Sequence, residues 1–175
     1  HTIIELIRDG RFEPVAVDNC SRSTANTINR IKKITGVQVP LYKVDICDKE
    51  VFFKVFEEEK NICGVIHFAA FKSVPESVHE PLMYYRNNLM SLVTVLEVMK
   101  KHNVKNIVFS SSCTVYGQPD AEHLPVDETA PIQKALSPYG NTKQINEEII
   151  CDQAHADSSL HATILRYFNP IGAHP

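Results

Sequence analysis

Short β-rich runs alternate with helical patterns along this chain. The runs are Pro14 to Asp18, Val37 to Asp45, Cys63 to Phe68, Lys105 to Ser110 and Leu160 to Tyr167. Several are almost continuously apolar, as strands covered on both faces of a parallel sheet must be. Helical patterns lie between them at 24–35, 48–59, 79–102 and 138–155. A strand that returns parallel to its predecessor needs a crossover, so strict alternation at this spacing predicts an α/β fold with a doubly wound parallel sheet. The 175 residues, 43% of them hydrophobic, can bury one substantial core, which excludes a disordered chain or a small stapled scaffold.

Charge and cysteine usage narrow the function classes. Eighteen Lys and Arg against 21 Asp and Glu leave a net charge of −3, with no basic surplus to hold a nucleic-acid backbone. No apolar run reaches the ~18 residues of a membrane span, and the amino end lacks a signal pattern. Cys20, Cys47, Cys63, Cys113 and Cys151 are odd in number and contain no C-x-x-C pair, which fits neither a disulfide framework nor a zinc site. Reduced thiols in a cytoplasmic protein without a metal are expected.

In the 79–102 segment, Tyr85, Leu89, Leu92, Leu96 and Met99 recur at helical spacing, while Met90, Val93, Val95 and Val98 widen the apolar surface. Such a helix either presses deep against the sheet or also meets a second subunit. The 118–137 stretch, with three of the ten prolines, is the longest irregular segment and a candidate for function.

Several strand ends carry polar groups of the kind a dinucleotide fold uses. Asp18 ends the first run, where a carboxylate accepts hydrogen bonds from the adenosine ribose hydroxyls and repels a 2′-phosphate, selecting NAD over NADP. An Asp capping the turn at Asn19-Cys20-Ser21 is the other account of it. Asp45-Ile46 ends the second run and suits either an adenine contact or an N-cap for the 48–59 helix. Ala69-Ala70, after the 63–68 run, are small enough for a flat cofactor to approach, and Lys72 could reach a ribose or phosphate oxygen. A tight strand-to-loop turn explains the alanines equally well. His67, inside that run, reads as a core histidine rather than a catalyst.

The densest pattern lies further on. The 105–110 strand runs into Ser110-Ser111-Ser112-Cys113-Thr114-Val115-Tyr116-Gly117, and some twenty residues later Tyr139-Gly140-Asn141-Thr142-Lys143 opens a helix. Tyr and Lys at i and i+4 share a helix face, so the ammonium can stabilise a phenolate and make Tyr139 a base near neutral pH. A serine at the neighbouring strand end can bond the same substrate oxygen and pass the proton.

At these residues the sequence resembles the extended short-chain dehydrogenase/reductase family, and within it the members that epimerise nucleotide sugars at C4. The resemblance also rests on VIHFAAFKSVPESV (65–78), YYRNNL (84–89), NIVFSSSCTVYG (106–117), SPYGNTK (137–143) and LRYFNPIGAHP (165–175). It implies a Rossmann-like NAD-binding domain and a catalytic set of Ser112, Tyr139 and Lys143. It further implies NAD contacts at Asp18, Asn19, Asp45, Ile46, Phe68, Ala69, Ala70, Lys72, Asn88, Ser110, Tyr139, Lys143 and Tyr167. Substrate contacts are implied at Lys72, Ser112, Thr114, Tyr139 and Asn169. The implied reaction is the interconversion of UDP-glucose and UDP-galactose through a transient 4-keto sugar, in a homodimer whose helices 79–102 and 138–155 pack across a two-fold axis.

Cys113 departs from the family pattern, which carries alanine beside the serine. The opening His1 to Gly10 reads as a helix body stopped by glycine, and Arg166 to Gly172 leaves a strand for a loop. The expectation is therefore a partial domain, 1–175, that lacks its first strand and glycine loop, with the substrate-binding lobe beyond residue 175. Two other readings stay open: a different nucleotide-sugar epimerase or dehydratase of the family, or a silent NAD-binding piece. Dehydratases often place an Asp-Glu pair where Cys113-Thr114-Val115 stands here.

Overall fold

The structure, a computed structural model, describes residues 1–172, so the last three residues of the 165–175 motif lie outside the described residues. The described residues form two compact units, 1–58 with 171–172, and Glu59–Pro170.

In the first unit α1 (Thr2–Asp9), β1 (Ala16–Val17), α2 (Asn26–Thr35), β2 (Leu41–Tyr42) and α3 (Lys49–Glu58) follow one another. α1 stops where Gly10 turns left-handed at φ 74° and bonds its N–H to the Leu6 carbonyl. Ile28 and Ile31 recur at helical spacing on α2, and with Ile4 of α1 and Val39 they form the core of this unit. β1 and β2 pair in parallel, Ala16 against Leu41. Both are shorter than the runs suggested, with Pro14 and Pro40, which have no N–H to donate to a ladder, on their amino-terminal sides. The helix cap expected of Asp45 belongs instead to Asp48, whose carboxylate accepts the Val51 N–H at 3.2 Å.

The second unit holds β3 (Val65–His67), α4 (Val74–His79), α5 (Pro81–Lys101), β4 (Asn106–Ser112), α6 (Pro138–Ala156) and β5 (His161–Tyr167). Its sheet has the order β3-β4-β5 and every pairing is parallel, as the alternation predicted. The helix expected at 79–102 is α5, and the short α4 just before it was not expected. Pro81, which cannot donate to a preceding turn, opens α5 after α4 has closed at His79.

The inner line of α5 starts one residue earlier than the apolar spacing implied. Tyr84, Asn88, Ser91, Leu92, Val95 and Met99 are buried, whereas Tyr85, Leu89 and Val93 are half-buried. β4 runs two residues past its expected end, through Ser112, where it pairs with Tyr167 of β5. The 118–137 stretch is irregular apart from one 3-10 turn, Ala121–His123. Val115, Tyr116 and Ala130 give this part of the chain its own small core.

Candidate active site

At the end of β4 the chain tightens into a 3-10 turn, Cys113–Tyr116. The Ser112 hydroxyl caps it, accepting the Thr114 N–H at 3.2 Å and the Thr114 hydroxyl at 3.0 Å. Gly117 then reverses the chain at φ 61°, where a Cβ would lie 2.8 Å from the Lys134 carbonyl oxygen. Ser137 caps α6 by accepting the Gly140 N–H at 3.1 Å, with Pro138 in the first helical position. A Cβ on Gly140 would stand 3.3 Å from that of Thr114, so the missing side chain lets the first turn of α6 lie against the turn after β4. Tyr139 is thereby brought beside Ser112, whose hydroxyl favours the ionised phenol. One turn on, Lys143 is 3% exposed, and its ammonium donates to the Ser110 carbonyl at 2.7 Å. Its Nζ lies 4.9 Å from the Phe109 ring centroid and 5.9 Å from that of Tyr139.

Burial governs the proton affinities here. It pushes the Tyr139 phenol above its ordinary value, with the Ser112 hydrogen bond pulling the other way. Burial also brings Lys143 down to about 8, opposed by the Glu147 carboxylate. The lowering of the phenol by the ammonium, expected from the i, i+4 spacing, is not found: burial raises the phenol and the group that opposes it is Ser112. His67 is buried and stacked 5.9 Å from Phe109, and burial drives it to about 3, as a neutral core histidine.

The other expected residues fall in both units. In the first, Asp18 is exposed and its carboxylate accepts the Cys20 N–H at 2.7 Å. Asn19 donates to Asp45 at 3.2 Å, Asp45 accepts the Cys47 N–H at 2.9 Å, and Ile46 is half-buried. In the second, Phe68 and Ala69 are exposed, Ala70 is half-buried, and the Phe68 ring lies 6.4 Å from that of Tyr167. Lys72 and Asn169 are exposed. Asn88 is 1% exposed. It accepts the Phe71 N–H at 2.8 Å and donates to the Phe71 carbonyl at 3.0 Å and to the Thr142 hydroxyl at 3.1 Å. Its side chain holds the loop after β3 in place. The structure therefore gathers Ser110, Ser112, Thr114, Tyr139 and Lys143.

Sequence reasoning passed over Ser111, Glu147, Arg166 and Tyr116, which form a connected polar network beside this group. The one available signal was Glu147 standing four residues after Lys143.

Residues 2–175 match the sequence pattern of the NAD dependent epimerase/dehydratase family. The chain is similar to the UDP-glucose 4-epimerase of Bacillus subtilis, 47% identical over 175 residues, covering 100% of this chain and 50% of that protein. It is similar as well to UDP-glucose 4-epimerase uge1 of Schizosaccharomyces pombe, 46% identical over 177 residues, covering 100% and 49%. A solved structure of UDP-glucose 4-epimerase from Bifidobacterium longum in complex with NAD+ and UDP superposes with a TM-score of 0.95 at 47% identity, covering 99% of this chain and 51% of that one. The chain spans about half the length of the curated relatives it matches.

Proposed function

The chain belongs to the NAD dependent epimerase/dehydratase family, and from that membership we propose that it is the NAD-holding part of an enzyme interconverting UDP-glucose and UDP-galactose, a step of galactose metabolism. The observation that carries this reading is the group at the start of α6, where half-buried Tyr139 stands beside buried Ser112 and buried Lys143 lies one turn beyond.

The residues fit the cofactor. Asp18, beside Asn19 and Asp45, offers acceptors for adenosine ribose hydroxyls. In the second unit, Ala69 and Ala70 leave the chain after β3 open beside the exposed Phe68 ring, Tyr167 is exposed at the end of β5, and Lys72, Ser110 and Lys143 complete the assignment, with Asn88 acting through the loop it holds. NAD, when bound, supplies the hydride acceptor that oxidises the sugar at C4 and returns the hydride to its other face. Ser112 and Thr114 orient the 4-hydroxyl through their own hydroxyls. Tyr139 takes the proton from that oxygen as the ketone forms and gives it back when the ketone is reduced. Lys143 supports the phenolate and holds the nicotinamide ribose. Lys72 and Asn169 are assigned to the UDP-sugar.

Conversion of UDP-galactose to UDP-glucose by the full-length protein, without net redox change, tests the reading; no conversion sinks it. For the cofactor, NADP would set a phosphate against the Asp18 carboxylate and forfeit ribose hydroxyl bonds. NAD should therefore bind on the order of 10²-fold more tightly than NADP. Equal dissociation constants by calorimetry would contradict the Asp18 assignment.

We place the enzyme in the cytoplasm as a homodimer. All five cysteines are free, and among the described residues no helix is long and apolar enough to cross a membrane. Leu89 and Val93 on α5 and Ile145 and Ile149 on α6 are only half-buried, which supports a pairing face across two-fold related helices. Sedimentation of the full-length protein at micromolar concentration should give a dimer, and a monomer there would refute it.

A further inference from the structure

Tyr139, Lys143 and Glu147 stand four residues apart and share one face of α6. Glu147 is 5% exposed, and a carboxylate that deep loses most of its hydration, which is tolerated only when it is paired and hydrogen-bonded. The partners are present. The Ser111 hydroxyl donates a short hydrogen bond to Oε1. The Arg166 guanidinium donates from Nε to Oε1 at 3.1 Å and from Nη2 to Oε2 at 2.7 Å, in the fork geometry that suits a carboxylate. Arg166 also donates to the Tyr116 hydroxyl at 3.0 Å and stacks 5.0 Å over that ring.

What these partners adjoin gives the network its meaning. Ser111 precedes Ser112 in β4, Arg166 precedes Tyr167 in β5, and the register sets Ser111 against Arg166 and Ser112 against Tyr167. Tyr116 closes the turn that contains Thr114. We infer that Glu147 is a positioning residue whose carboxylate ties the strand ends bearing Ser112 and Tyr167, and through Arg166 the turn bearing Thr114, to the helix bearing Tyr139 and Lys143. For the reaction it serves, this rests on the function proposed above.

Glu147 also acts on the charge of Lys143, since its carboxylate opposes the loss of the ammonium that burial favours. The groups that face Lys143 are Glu147 and Tyr139 from its own helix, neutral His67 from β3, and the Ser110 carbonyl and Phe109 ring from β4. Glu147 is faced by Arg166, by the Ser111 hydroxyl and by Lys143.

The test uses the full-length protein with Glu147→Gln and Ser111→Ala, measuring kcat and KM for UDP-galactose between pH 6 and 9, together with Tm. Glu147→Gln should lower kcat by about tenfold or more with KM within about threefold, and should move the alkaline limb of activity to lower pH. Ser111→Ala, which leaves the Glu147–Arg166 pair intact, should lower kcat several-fold at unchanged KM. A Glu147→Gln protein with reduced Tm but wild-type kcat and alkaline limb would overturn the inference. If Glu147→Gln does not fold, Ser111→Ala decides alone, and unchanged kcat overturns it. Should the wild-type protein fail to convert UDP-galactose, the epimerase reading falls, and the tie is judged by amide hydrogen exchange. Ser111→Ala must then speed exchange at Ser112 and Tyr167 together, and unaltered exchange overturns it.

Discussion

On the proposed function, Tyr139→Phe in the full-length protein should lower kcat for UDP-galactose by a factor on the order of 10² or more while NAD stays bound. The substitution removes one oxygen and keeps the ring, so the helix start set by Ser137, Pro138 and Gly140 is undisturbed. What disappears, on that proposal, is the acceptor for the 4-hydroxyl proton. In the resting structure the phenol is held above its ordinary value by burial and eased downward by Ser112. Ser112 alone is a poor substitute, since an unassisted hydroxyl is a much weaker base than a phenolate. Steady-state kinetics with a cofactor-release assay check this, and an unchanged kcat removes Tyr139 from the mechanism.

Activity and stability should answer alkali in opposite senses because of Lys143. Its ammonium is lost near pH 8 rather than near 10.5, so epimerase activity should decline as pH rises through about 8. Stability follows the reverse course. The folded-state value is depressed, so between about 8 and 10.5 the unfolded chain binds more protons than the folded one, and stability rises with pH across that window. Below pH 8 the full cost of burying the cation is present.

Lys143→Met, which nearly conserves the shape without the charge, should lower kcat by a factor on the order of 10² or more. It should also make the NAD-free full-length protein more stable than wild type by roughly 1 to 3 kcal/mol at pH 7, a margin that shrinks as pH approaches 10. Denaturant titrations of both proteins at pH 7 and 10 check the sign. A variant less stable than wild type at pH 7, with no change in the difference at pH 10, would show that the Ser110 hydrogen bond and the Phe109 contact outweigh desolvation.

Much was legible from sequence alone because it depends on neighbours along the chain. Alternating runs and helical patterns gave the order of strands and helices and the parallel pairing. Gly10 marked the end of α1, and Ser137-Pro138 the start of α6, since caps act over three or four residues. The Ser112, Tyr139 and Lys143 group was visible from residue types and spacing, and the family from its motifs.

Other features were settled only when distant segments met. Apolar spacing placed Leu92, Leu96 and Met99 of α5 inward correctly but missed the start of the line, where Tyr84 and polar Asn88 and Ser91 lie inward in place of Tyr85 and Leu89, and Asn88 bonds the loop after β3 and Thr142 of α6. Asn88 therefore acts through Phe71, which no local pattern shows. Hydrogen bonds of the Glu147 network link residues up to 50 positions apart; only the register of β4 on β5 sets Ser111 beside Arg166 and both against one carboxylate. The proton affinities of Tyr139 and Lys143 belong to the same class. The sequence pairs a phenol with an ammonium one helical turn away and so determines which groups interact. How much water each loses when the strands and helices close around it is a property of the packed structure, and that desolvation decides both values.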